Sequence, residues 1–245
     1  MAETAGTGTA GGAAAGRSPR VVVALDFPGA AAALSMAGRL PAGTWVKVGL
    51  ELFTAAGPGV VEHLSGKGHP VFLDLKVHDI PNTAAGAVRS AAGLGVRLLT
   101  VHASGGRAML EAAAEAAPGG LRLLAVTVLT SLDDVALAEV MGEGAGAEEA
   151  VGRLAALARG SGIDGAVASV RECRALKAVC GEEFLVATPG IRLAGGDVHD
   201  QKRVATPADA REAGSDFLVV GRAITAAADP AAALARVRRE AGGGG

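Results

Sequence analysis

Short runs of β-branched and aliphatic residues recur along this chain, separated by Ala-rich stretches of helical character. The runs are VVVALD (21–26), WVKVG (45–49), VFLDLK (71–76), LLTVH (98–102), LRLLAVTVL (121–129), GAVAS (165–169), FLVAT (184–188) and DFLVVG (216–221). The first five begin about 25 residues apart, the length of a strand, a loop, a crossover helix and a return loop. Their continuous apolar character suits strands of a parallel sheet covered on both faces. Eight such units predict an α/β fold, a (β/α)8 TIM barrel forming a single domain over 20–240. The rival fold, a doubly wound open sheet, would carry a Gly-rich dinucleotide turn after its first strand. Here that strand ends in Asp26-Phe27-Pro28-Gly29 instead. Residues 1–19, rich in Ala, Gly, Thr and Ser, read as a disordered extension, and 241–245 read as a flexible glycine tail.

Composition narrows the function classes. Half of the 245 residues are hydrophobic, enough to bury a core. No apolar run reaches the roughly 18 residues that a membrane helix needs, so no membrane partner is expected. With 23 Lys+Arg against 25 Asp+Glu the chain lacks an electrostatic footprint for nucleic acid, and five Phe, one Trp and no Tyr offer few stacking platforms. The N-terminus shows neither the basic region nor the Leu-rich stretch of a secretory signal, which points to the cytoplasm. Cys173 and Cys180 fall on a stretch that reads as helix, where a rise of about 1.5 Å per residue sets them too far apart to bridge. The five His have no metal-ligand spacing, so no metal site is expected. Between the fifth and sixth runs, Ser131 to Ala147 carries an acidic, Gly-rich stretch, a candidate mobile loop over the active face.

The charges inside the strands are the informative ones. Side chains alternate along VFLDLK, so Phe72, Asp74 and Lys76 share one face while Leu73, Leu75 and Val77 share the other. The second set packs against helices, which turns Asp74 and Lys76 into the barrel near the carboxyl end of the strand, where barrel active sites form. Asp26 and Lys47 repeat that placement on two neighbouring strands. A salt-bridge lattice without catalytic duty is the bland reading, but each desolvated ion costs several kcal/mol, so stability alone explains four of them poorly. Asp79 follows in the loop His78-Asp79-Ile80-Pro81-Asn82-Thr83, with Asn82 or Thr83 as the expected helix cap. The loops TPGIR (188–192) and VGRAIT (220–225) follow the last two strands, where barrels often bind phosphate. Gly190 and Gly221 let backbone approach an anion, and Arg192 and Arg222 supply forks of donors. His102, Thr130 and Ser131 end strands and are compatible with either structural or ligand roles. The residues alone indicate a barrel that binds a small phosphorylated molecule and uses Lys and Asp for proton chemistry.

FLDLKVHDIPNT, together with VALDFPG, VKVGLELF, TPGIR, the HDQ-RV-TP pattern and VVGRAIT, strongly resembles the orotidine 5′-phosphate decarboxylase family, in order and spacing from Val21 to Ala235. The resemblance implies a cofactor-independent decarboxylation of the nucleotide in pyrimidine biosynthesis. It makes Lys76 the proton donor to C6 of the pyrimidine, sets Asp74 beside the departing carboxylate and puts Lys47 in the same array. Asp26 and Lys47 would hold ribose hydroxyls, and Thr130 would contact the base. Arg192, Gln201, Gly221 and Arg222 would hold the phosphate end, with Gln201 bridging phosphate and base. Asp79, Ile80 and Thr83 would act across the interface of a homodimer, on the neighbouring site. The alternatives are a metal-dependent sugar-phosphate decarboxylase or aldolase on the same barrel, and a phosphate-binding barrel without catalysis.

Overall fold

A computed structural model describes residues 18–142, 146–193 and 205–242 of the chain. The first half runs β1 (Arg20–Ala24), α1 (Ala30–Ala37), β2 (Trp45–Gly49), α2 (Leu50–Ala56), α3 (Gly59–Gly66), β3 (Val71–Val77), α4 (Pro81–Gly93), β4 (Leu98–His102), a 3-10 turn (Ala103–Gly105) and α5 (Gly106–Ala116). The second half continues with β5 (Arg122–Val126), α6 (Asp134–Met141), α7 (Ala147–Gly160), β6 (Gly165–Val167), α8 (Val170–Cys180), β7 (Leu185–Thr188), α9 (Pro207–Glu212), β8 (Phe217–Val220), α10 (Arg222–Thr225) and α11 (Pro230–Glu240). Each strand pairs in parallel with its chain neighbour, and β8 closes on β1 through Val22↔Val219. The result is the (β/α)8 barrel that the recurring runs predict.

Strand alternation sorts the apolar side chains into two layers. Val22, Ala24, Phe72, Leu98, Leu124, Ala187, Phe217 and Val219 fill the barrel. Val21, Val23, Val46, Val48, Leu73, Leu99 and Val186, among others, face the helices, with Leu75 and Val77 packed on that layer. The predicted faces of VFLDLK are therefore those observed. At the amino-terminal end of the barrel Trp45 and Phe217 meet edge to face at 5.3 Å, with the Arg20 guanidinium over both rings. Gly165 opens β6 because any Cβ there would collide with the Leu185 carbonyl.

Three expectations change. The fifth strand ends at Val126, short of Leu129, because its partner β6 has only three residues to offer and the ladder ends with it. The segment 131–147, expected as a loop, contains α6: DVALAEVM is made largely of good helix formers, and Asp133 Oδ1 accepts from the Ala136 N–H at 3.0 Å as N-cap. Neither Asn82 nor Thr83 caps α4: Ile80 is the N-cap and the helix starts on Pro81, whose fixed φ suits the first helical position. Of the expected extension and tail, only Ser18, Pro19, Ala241 and Gly242 fall among the described residues, and the Ser18 hydroxyl donates to the Gly242 carbonyl at 3.0 Å. Cys173 and Cys180 both lie buried on α8 with free thiols. No helix among the described residues is long and apolar enough to cross a membrane.

Candidate active site

Parallel register places Lys47 of β2 beside Phe72 of β3 and Gly49 beside Asp74, so side chains from two strands meet at the carboxyl-terminal mouth. Asp26 arrives from the turn after β1. These groups form a row of alternating sign. Lys47 Nζ donates to Asp26 Oδ1 at 2.9 Å and stands 3.9 Å from Asp74 Oδ2; Lys76 Nζ donates to Asp74 Oδ1 at 2.9 Å. Lys47 and Asp74 are 12% and 17% exposed, against 38% for Lys76 and 59% for Asp26. The row is driest at its centre and opens to solvent at both ends. Gly49 leaves the space for it: a Cβ there would sit 2.9 Å from Lys47 Nζ and 3.5 Å from Asp26 Oδ1.

Thr100 of β4 is a part of the array that sequence reasoning missed. It is fully buried, donates to Asp74 Oδ1 at 3.0 Å and accepts the Lys76 N–H at 2.8 Å. In LLTVH it looks like any strand threonine, and its partners become visible only once β3 and β4 are in register. His102, two residues on, is held toward its neutral form by burial first and then by His78 and Lys76, which lower its pKa below 6.5. Its ring stacks on His78 at 5.1 Å, and its Nδ1 is 2.8 Å from the Ser104 hydroxyl.

Above the row lies a cavity of about 170 Å³. Lys47, Asp74 and Lys76 form its charged side, Val126, Val128, Leu129, Val167, Pro189 and Val219 its apolar wall, and Thr130 contributes a hydroxyl. Pockets for drug-sized ligands usually run to roughly 300–1,000 Å³, so this one suits a single ring with the rest of a ligand lying outside. On its charged side the cavity offers a cationic amine beside carboxylates, facing an apolar wall.

The orotidine 5′-phosphate decarboxylase / HUMPS family profile matches residues 19–237. The chain belongs to this family. It is 57% identical over 226 residues to the orotidine 5′-phosphate decarboxylase of Halorhodospira halophila, covering 91% of this chain and 95% of that protein. With the enzyme of that name from Nitrosospira multiformis it shares 51% over 224 residues, covering 91% and 93%. A crystal structure of orotidine 5′-phosphate decarboxylase from Lactobacillus acidophilus superposes with a TM-score of 0.82 at 39% identity, covering 91% of this chain and 98% of that one. This chain is accordingly an enzyme of the decarboxylase family.

The other residues singled out from the sequence take varied positions. Thr130 lines the cavity. Arg192, Gly221 and Arg222 are not in its lining: Arg192 follows β7, its N–H donating to the Ala205 carbonyl at 3.0 Å, while Gly221 and Arg222 start α10. Gly190 has φ +80°, which demands glycine there. A Cβ on Gly221 would lie 4.0 Å from Asp26 Oδ2, so the β8 loop borders the charged row. Asp79, Ile80 and Thr83 are all exposed, away from the cavity of their own chain; Asp79 Oδ1 accepts the Ile80 N–H at 2.7 Å, and Ile80 is 68% exposed. Gln201 lies outside the described residues.

Proposed function

We propose that this enzyme converts orotidine 5′-phosphate to UMP and carbon dioxide in pyrimidine biosynthesis. The observation that carries the reading is the alternating row Asp26, Lys47, Asp74, Lys76 under an apolar ring-sized cavity. Relatives bearing that enzyme name over nine-tenths of the chain support the choice of substrate.

In this reading the bond from C6 to its carboxylate breaks, the electron pair stays on C6, and carbon dioxide leaves. The Lys76 ammonium then gives its proton to C6 and regains one from water. Such a carbanion has no adjacent carbonyl to spread its charge, so a barrier reduction on the order of 20 kcal/mol is required. A unit charge pair about 3 Å apart is worth about 1.4 kcal/mol at the dielectric of water and about 5–6 kcal/mol at an effective value of 20. The apolar wall therefore matters as much as the amine, because it raises the worth of a fixed cation without reorganisation. Asp74 holds Lys76 in place and lies beside the departing carboxylate, and Lys47 anchors Asp26 for the ribose hydroxyls. The residual binding energy comes from the phosphate end, held by Arg192, Gln201, Gly221 and Arg222, which orients the ring over the row. Thr130 contacts the base. Asp79, Ile80 and Thr83 serve the site of a second copy in a homodimer, in keeping with their exposure on their own chain. The reading assigns the work to the protein's own groups and to no cofactor or metal.

The test follows the absorbance of orotidine 5′-phosphate with and without a chelator. Turnover unaffected by chelator is expected. Loss of activity in chelator, with full metal-restored activity on a ketose phosphate, would replace this reading with the sugar-phosphate one.

A further inference from the structure

Between the pairs Leu73↔Leu99 and Val77↔Val101, three residues of β3 stand against a single residue of β4, Thr100. This bulge breaks the hydrogen-bond ladder beside the reacting groups. Lys76 sits inside it with φ +53°, the one non-glycine residue at positive φ among the described residues. Its N–H has left the ladder, and a part-buried N–H held away from solvent needs another partner. The Thr100 hydroxyl supplies the partner at 2.8 Å. An amide can only donate, so the hydroxyl accepts there, and its own hydrogen goes to Asp74 Oδ1 at 3.0 Å. That carboxylate oxygen is the one that receives Lys76 Nζ at 2.9 Å. One hydroxyl thus closes a loop through the backbone of Lys76, the carboxylate of Asp74 and the ammonium of Lys76.

We propose that Thr100 is the positioning residue of this site. Its hydroxyl holds the Lys76 backbone in the left-handed region and fixes the Asp74 carboxylate, so that amine and acid meet the substrate in one geometry. A buried threonine could instead merely fill space between strands, and Thr100→Val separates the two roles because it keeps the shape and removes the hydroxyl. The inference rests on the decarboxylase reading for its kinetic arm only.

In Thr100→Val, kcat should fall on the order of 100-fold, the usual consequence of a displacement of about 1 Å at a reacting group. KM should stay within about threefold, since the ligand's other contacts are untouched. Thr100→Ser, which keeps the hydroxyl, should recover most of kcat. A Val variant within about twofold of wild-type kcat, or a Ser variant as slow as the Val variant, overturns the proposal. Hydrogen exchange at the Lys76 amide supplies an arm that needs no substrate. Exchange there should be at least about tenfold faster in Thr100→Val, and unchanged protection overturns the positioning role whatever the enzyme turns over. Wild-type turnover of orotidine 5′-phosphate tests the decarboxylase reading separately. Should Thr100→Val fail to fold, Thr100→Ala takes its place in both arms, with the same criteria.

Discussion

Lys76 combines a reacting side chain with an unfavourable backbone, and the two can be separated by comparing Lys76→Ala with Lys76→Gly. Both remove the ammonium, and with it the pair to Asp74 at 2.9 Å, so that loss cancels in the comparison. What differs is the Cβ at φ +53°. A left-handed residue bearing a Cβ costs about 1–2 kcal/mol. Against this, Gly is ordinarily about 0.5–1 kcal/mol worse than Ala because its unfolded chain is freer. The central values favour Lys76→Gly by about 0.75 kcal/mol, the reverse of the usual order, equivalent to about 2–3 °C in Tm for a chain of this size. Equilibrium urea melts with matched slopes would read it directly. Both variants should also lose at least about 10⁴-fold in kcat, since a proton donor and a fixed charge go together. Lys76→Ala equal to or more stable than Lys76→Gly would refute the claim that the backbone is strained here, and kcat near the wild-type value in either would remove Lys76 from the chemistry.

Arg222→Ala should lower kcat/KM for the nucleotide by about 10–100-fold, the worth of charge-assisted hydrogen bonds to phosphate, and should leave weak activity on the nucleoside unchanged; steady-state kinetics on both substrates checks it. Mixing Lys76→Ala with Asp79→Ala chains should restore part of the activity if each site borrows Asp79 from a second copy, and verified mixed dimers without recovery would refute the sharing. Burial first, then His78 and Lys76, make His102 harder to protonate in the folded state, whereas unfolded chains bind that proton near pH 6.5. Stability should therefore be full above pH 6.5 and decline as the pH falls below it, and His102→Asn should flatten that decline in urea melts taken at several pH values.

The barrel was legible because its signal is repeated: a parallel strand buried on both faces must be apolar throughout, so charges such as Lys47 and Asp74 stand out within one. Period-two alternation then said which way they pointed. Thr100 and Gly49 carry no sequence signal because their roles arise between strands. The one is a hydroxyl aimed at a bulge in its neighbour, and the other an empty volume that two side chains from elsewhere occupy. Neither leaves a mark in its own run. Helix α6 is masked by the glycines that follow it, which outweigh the capping aspartate and helix formers ahead of them as a sequence signal. The start of α4 is obscured for a similar reason: polar Asn82 and Thr83 look like caps, while Pro81 already fixes the first turn.

Phe72 belongs at once to the ring cavity and to the packed filling of the cylinder, whose members Val22, Leu98, Leu124 and Phe217 are sealed from solvent. The cup therefore has no back door. A fragment split from the buried edge of a ring seated over Lys76 has to depart by the same opening through which the ring came in.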